Sequence, residues 1–376
     1  MAGIKRIYLD YASATPVRKE AVKAMLPYFT EKFGNPTSPH PFGAEAREAV
    51  EKARAVIAKT INAKPDEIIF TSGCTESSNL AIRGVAYSKV ETGKHLVTSI
   101  IEHESVYNTF KHLESRGFQV TYLPVDVEGL ISVADIRSKI TPKTTLVSIQ
   151  HANAEIGTIE PIEGIARIAN EKGVLFHTDA AYSYGRVPID VKAMKIDLMS
   201  LDAHHINGPK GVGALFVREG VDIVTLLQGR PDEHGRRAGM PNVPGIVGFS
   251  VAAELAVKEL KKESKRESKL RDMFLKYLNE NVKFSKTNGS PKRRLPNNIN
   301  MSFDGIIGQD LVKGLEKHGI VATTSLNDRV LNAIGVKGAK LLGSVRLTMG
   351  NDTKEQDMRM VMKLVQKIVE TARKRY

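Results

Sequence analysis

Short apolar runs recur along the first two thirds of the chain, at Glu67–Phe70, His95–Thr98, Gln119–Tyr122, Thr145–Ser148, Val174–His177, Leu198–Ser200 and Gly213–Val217. Each is strand-sized and carries β-branched or aromatic residues. Between most of them the apolar positions change to helical spacing, around Asn79–Thr92, Glu104–Arg116, Pro161–Lys172 and Val187–Met194. Strand–helix alternation predicts a mostly parallel α/β sheet, and such sheets gather ligands at the carboxyl ends of their strands. A long helical stretch then runs from Pro244 to Asn281, and the polar segment Ser285–Arg294 reads as an exposed loop. Beyond it lies a smaller α+β pattern: strand Ile299–Phe303, a helix from Gln309, strand Val345–Thr348 and a last helix Lys354–Arg375. The expected organisation is a large α/β domain over residues 15–260 and a small α+β domain built from residues 1–14 and 261–376.

With 376 residues, 41% of them hydrophobic, the chain is long enough for one large core or two smaller ones. It has no apolar run of membrane-spanning length, and its opening, Met1 to Asp10, turns polar before a signal core forms. A soluble, cytoplasmic protein with no membrane partner is the expectation. The one cysteine, Cys74, excludes an intrachain disulfide. The formal net charge is +13, and much of the excess sits in Lys258–Arg271 and in the last helix, ending Lys374-Arg375-Tyr376. Such a surface suits RNA or an acidic partner. Glutamates interleave with the lysines at helical spacing, so a solvated helix face is the plainer reading and nucleic acid is not expected.

Several motifs then stand in one order: Tyr8-Leu-Asp-Tyr-Ala-Ser-Ala-Thr-Pro16, Phe33-Gly-Asn-Pro-Thr-Ser38, Phe70-Thr-Ser-Gly-Cys-Thr-Glu-Ser-Ser-Asn79 and Glu102-His103. After them come Asn153-Ala-Glu-Ile-Gly157, His177-Thr-Asp-Ala180, Ser200-Leu-Asp-Ala-His-His-Ile-Asn-Gly-Pro-Lys-Gly-Val-Gly213 and Ser344-Val-Arg346. Together they resemble the NifS/IscS cysteine desulfurases, class V aminotransferases of pyridoxal-phosphate (PLP) fold type I, over essentially the whole chain. The resemblance implies a mostly parallel seven-stranded sheet in the large domain, a small α+β domain, and a homodimer with Phe33–His40 and Arg237–Met240 near its interface.

On its own, Thr71–Glu76 is a strand-turn-helix whose free N–H groups suit a phosphate, or a mere tight turn. The resemblance assigns Cys74, Thr75, Asp202 and His204 to the phosphate cup, with Cys74 alternatively a small buried hydrophobe. It makes Asp179 the partner of the pyridine nitrogen and sets His103 over the ring. Arg346 and Asn35 become the substrate-binding residues, a guanidinium suiting a carboxylate.

The departures carry as much weight. His205 stands where the family has its Schiff-base lysine, and imidazole forms no imine. It is either a base beside a noncovalently held cofactor or a space-filling substitute. Lys210 is a residue the family carries in addition to that lysine. Asp202 replaces a hydroxyl, Met240 a threonine, and Ala154 and Tyr182 amides near the ring. The stretch Gly319–Val330, where the family has its persulfide cysteine, is short and has none.

These losses suggest a catalytically degenerate homologue, a scaffold or regulatory partner in sulfur transfer or iron–sulfur cluster assembly that works with a scaffold protein or sulfur acceptor. The alternative is an enzyme holding PLP noncovalently and weakly, with His205 as base. A third reading places a metal on Asp202, His204 and His205, but adjacent side chains at a strand end should point apart, so no metal is expected.

Overall fold

The computed structural model describes residues 6–325 and 327–374; Met1–Lys5, Leu326, Arg375 and Tyr376 lie outside the described residues. The chain opens with β1 (Ile7–Tyr8) and helices α1 (Lys19–Met25), α2 (Pro27–Thr30) and α3 (Pro41–Thr60). A βα succession follows: β2 (Ile68–Thr71), α4 (Cys74–Ser88), β3 (His95–Ser99), α5 (Glu104–Ser115), β4 (Gln119–Leu123), α6 (Val133–Lys139), β5 (Thr144–Ser148), α7 (Ile162–Glu171), β6 (Leu175–Asp179), β7 (Leu198–Asp202) and β8 (Gly213–Val217). Helix α8 (Val243–Asn281) leads to β9 (Ser285–Thr287), β10 (Asn298–Phe303) and α9 (Gly308–Glu316). The chain continues through β11 (Ile320–Val321), β12 (Thr323–Thr324), α10 (Asp328–Ala333), α11 (Ala339–Leu342), β13 (Ser344–Thr348) and α12 (Glu355–Arg373).

Strands β2–β8 form one sheet in the order β2-β8-β7-β6-β5-β3-β4. Its members β3 to β7 run parallel, whereas β8 is antiparallel to both of its neighbours. Neighbouring residues on a strand face opposite sides. Here both sides are apolar: Val97, Phe176 and Met199 enter the core shared with α3 and the first half of α8, while Leu96, Leu198 and Leu215 enter the core beneath α4 and α5. Two covered faces explain why these strands read as continuous apolar runs.

The smaller sheet is antiparallel, in the order β12-β13-β10-β9, and β1 pairs with β11 in a separate two-stranded ladder. Its core holds Leu270, Phe274 and Leu278 from the second half of α8, with Ile299, Leu347 and Val361. The long helix therefore joins the two cores, contributing Phe249 to one and Phe274 to the other. No helix among the described residues is long and apolar enough to cross a membrane.

Two expectations fail. Val187–Met194 is a run of turns, not a helix. Pro188 removes a backbone donor, the Asp190 carboxylate captures the N–H groups of Lys192 and Ala193, and Lys195 turns left-handed at φ 55°. Nor is Ser285–Arg294 an exposed loop. Ser285–Thr287 pairs with β10, while Asn288, Ser290 and Arg294 are buried. The Arg294 guanidinium donates to the carbonyls of Ser290 (3.1 Å), Ile156 (2.9 Å) and Asn288, and burial lowers its pKa to about 9.

Candidate active site

The carboxyl ends of β6 and β7, the start of α4 and the small sheet enclose a cavity of about 530 Å³. Its floor follows from a close approach of backbone. Gly73, at φ 146°, turns the chain from β2 into α4, and a Cβ on Gly213 would lie only 2.7 Å from the Gly73 Cα. This closeness brings the end of β7 against the first turn of α4. Asp202 Oδ2 accepts the Cys74 N–H at 3.0 Å, so the chain's own carboxylate caps the helix N-terminus. Asp202 Oδ1 accepts the His204 N–H at 2.8 Å and lies 2.5 Å from His204 Nδ1. Burial disfavours the Asp202 charge, but the His204 hydrogen bond and the adjacent imidazoles outweigh it and hold the carboxyl below its ordinary pKa.

Cys74 is buried, yet it is not an apolar filler: its thiol donates to Asp179 Oδ1 at 3.1 Å, and that oxygen also accepts the Ala181 N–H at 2.9 Å. Burial first, then the carboxylates of Asp179 and Asp202, push the thiol pKa well above its usual value. Thr75 is exposed in the first turn of α4.

Three rings form a shelf beside this floor. Tyr182 lies 4.3 Å from the His205 ring and 6.2 Å from that of His103, which caps α5 through Ser105 N–H at 3.2 Å and is exposed rather than buried. His204 and His205 do not point apart. Residues His204–Ile206 form a 3₁₀ turn that brings their rings to 3.8 Å. Burial, more than the neighbouring His204, lowers the His205 pKa to about 3, so its imidazole is neutral. Among the described residues, no group of three His, Cys, Asp or Glu side chains is placed to hold a metal.

Arg346 of β13 forms the opposite wall. Its guanidinium meets Glu155 Oε2 and Asp10 Oδ1, each at 3.3 Å, and Ser13 Oγ at 3.2 Å, while its Nε is buried without a hydrogen bond. Asn327 and Val330 close the rim. Here Arg329 donates to the carbonyls of Ile100 and Glu102 and to Glu104 Oε1, and lies 3.9 Å over the Tyr107 ring. The segment in which the resemblance expects a mobile sulfur-carrying loop is thus fastened to the start of α5.

Sequence reasoning gave no role to Glu102, Glu155, Asp10 or Arg329, although three of them sit inside the quoted motifs. Glu102 lines the cavity, accepts from Ser99 Oγ and Gln150 N–H, and is pushed by burial to a pKa of about 8. Asn35 does not join the cavity; its Oδ1 accepts from the N–H and hydroxyl of Thr37. Nor does Lys210, whose Nζ donates to the Thr15 carbonyl at 3.2 Å in a neighbouring recess.

An α/β sheet covered by helices on both faces, with its cavity at the strand ends, is the arrangement of one large enzyme class, and the chain belongs to it: residues 7–361 match the class-V aminotransferase family. Within that class it is similar to the cysteine desulfurase IscS of Dictyoglomus turgidum, 45% identical with 98% of this chain and 96% of the relative covered. Its identity to the cysteine desulfurase IscS of Methanosarcina thermophila is 46%, over 98% and 93% of the two chains. A solved NifS-like protein superposes with a TM-score of 0.94 at 36% identity, covering 98% of this chain and all of the other. The fold expected from the sequence, a PLP type I architecture with a large, mostly parallel sheet, is the fold found.

Proposed function

We propose that this chain is a cysteine desulfurase-family protein that no longer carries out covalent PLP chemistry. It serves instead as a noncatalytic partner in cytoplasmic sulfur transfer or iron–sulfur cluster assembly, meeting a scaffold protein or sulfur acceptor. One observation carries this reading: the α4 N-terminus, the natural seat for a phosphate, is capped by Asp202, and no lysine lines the cavity among the described residues. PLP does not fit this donor set. A unit negative charge about 4 Å from a carboxylate is disfavoured by about 4 kcal/mol at an effective dielectric near 20. One of the two Asp179 oxygens is also engaged by Cys74 and Ala181. PLP binding is therefore weak and noncovalent where it occurs at all.

A homodimer is supported by an exposed apolar group, Leu26, Phe29, Phe33, Phe42 and Met240, each more than half exposed. Asn35 lies within that segment. The neutral imidazole of His205 favours one second reading, an enzyme holding PLP noncovalently with His205 as base. Incubation with PLP, desalting and a sulfide assay with cysteine separate the two. The noncatalytic reading expects colourless protein and no sulfide. Sulfide release that His205→Ala abolishes would overturn it in favour of the second.

A further inference from the structure

Behind the large cavity, on the side of α8, lies a smaller one of about 30 Å³, lined by Arg18, Arg186, His205, Glu259, Glu263 and Glu267 among others. Three buried polar atoms without a hydrogen bond belong to its lining residues: Arg18 Nε, His205 Nδ1 and Glu267 Oε1. A donor, an amphoteric ring nitrogen and an acceptor around one small space are the partners an ordered water needs, and about 10–15 Å³ suffices for one. Among the described residues, His205 is the only one that lines both this cavity and the large one.

We propose that ordered water in this cavity links Glu267 to His205 Nδ1, making Glu267 a positioning residue that sets the His205 tautomer and so decides whether Nε2, on the large-cavity side, donates or accepts. With Glu267 ionised, the water donates to Oε1 and accepts from Arg18 Nε and from Nδ1–H. The Nε2 lone pair then faces the cavity. With Glu267 protonated, its hydroxyl donates to the water, the water donates to Nδ1, and Nε2 carries the hydrogen. Ionisation of Glu267 thus moves one proton through the water onto Nδ1 and releases one from Nε2 into the large cavity, which balances the step.

The surroundings allow this. Glu267 faces Arg186 Nη1 at 3.5 Å and Arg266 Nη2 at 4.0 Å, with Glu263, Tyr11 and the Arg18–Glu259 pair nearby. His205 faces His204, Asp202, Arg186 and His103. Burial lifts the Glu267 carboxyl to about 7 against the pull of the two arginines, so the link operates near neutrality. It holds whether or not the chain binds PLP.

Ring-¹⁵N labelling of the histidines, with Glu267 read by its carboxyl ¹³C, tests the link in the full-length protein. Between pH about 5.5 and about 8.5 the His205 pattern should pass from Nε2–H to Nδ1–H, with the same midpoint as Glu267. In Glu267→Gln it should keep one tautomer throughout, whereas Glu263→Gln should leave the transition in place. A His205 ring that holds one tautomer in the unmodified protein, or that titrates at a midpoint different from that of Glu267, overturns the proposal. That comparison needs no variant, so a Glu267→Gln chain that does not fold leaves the test intact.

Discussion

The two ends of the large cavity handle charge in opposite ways. At the β6–β7 end, Asp202, Cys74, Asp179 and His204 satisfy one another: Asp202 caps α4, the Cys74 thiol serves Asp179, and His204 serves Asp202. At the β13 end, Arg346 reaches its two carboxylates only at 3.3 Å and keeps a buried Nε without a hydrogen bond. The two ends of one cavity therefore differ in how far their polar groups are satisfied. The first end is closed by its own side chains, whereas the guanidinium at the second keeps one buried N–H unsatisfied.

The strongest way to break this contrast is to reopen the closed end. Asp202→Ser with His205→Lys removes the capping carboxylate and supplies a primary amine. The expected result is a yellow absorbance band retained through desalting after incubation with PLP, with no comparable band in the unmodified protein. A double variant that stays colourless at saturating PLP means that Tyr182, Ala154 and Met240 have altered the site beyond these two positions.

Stability sharpens the comparison next. Arg346→Met leaves Glu155 and Asp10 without their guanidinium, and loss of one member of a buried charge cluster costs about 3–5 kcal/mol. Asp202→Asn keeps an acceptor oxygen for the Cys74 N–H, but it loses the charge and puts an amide NH2 where the other oxygen served His204, a cost of about 1–3 kcal/mol. Urea unfolding of both variants should give that order. A larger loss for Asp202→Asn would show that the self-capped end, not the arginine wall, holds the cavity together.

How much of this was legible beforehand depends on whether chemistry and burial agree. Val97, Phe176 and Leu215 are apolar and buried, so their strands stood out as runs. Asp179 could be placed at a ligand end because it closes a strand of a parallel sheet, while Asp202 was placed there by the resemblance alone. Arg294 misled, since a charged side chain signals solvent while here a cage of backbone carbonyls satisfies it. At Val187–Met194 the apolar spacing favours a helix, while Pro188 and Asp190 carry the opposing signal, and the turn chemistry prevails. The fastening of Arg329 to α5 joins positions more than two hundred residues apart and leaves no local pattern to read.

The buried titratable groups predict a pH profile of moderate amplitude. Burial raises Glu102 and Glu160 from 4.5 to about 8 and Glu267 to about 7. The folded state then binds more protons than the unfolded one between those limits, so their contribution falls as pH rises from 4.5 to 8. Burial lowers His151 from 6.5 to about 4, and His177 and His205 to about 3. Their contribution is complete above 6.5 and is lost as pH falls toward 3. The two sets oppose each other between 4.5 and 6.5 and act alone outside that window. Thermal unfolding at constant ionic strength should therefore show a broad maximum there and a decline from pH 6.5 to 8. A rise across that upper interval contradicts the assignment.

The smallest expected effect lies in the thiol at the closed end. Cys74 is the only cysteine of the chain, so alkylation reports on it alone. A thiolate is the reacting species, and here burial is the leading reason the thiol stays protonated, with Asp179 and Asp202 behind it. Iodoacetamide at mildly alkaline pH should leave the native protein essentially unmodified by mass spectrometry and label it fully in denaturant. Asp179→Leu removes one repelling charge and the acceptor of the thiol hydrogen bond but not the burial, so labelling should quicken by only a few-fold. An increase to the rate of an exposed thiol would mean that the Cys74–Asp179 contact itself, rather than the packing of α4 against β7, keeps this end of the cavity shut.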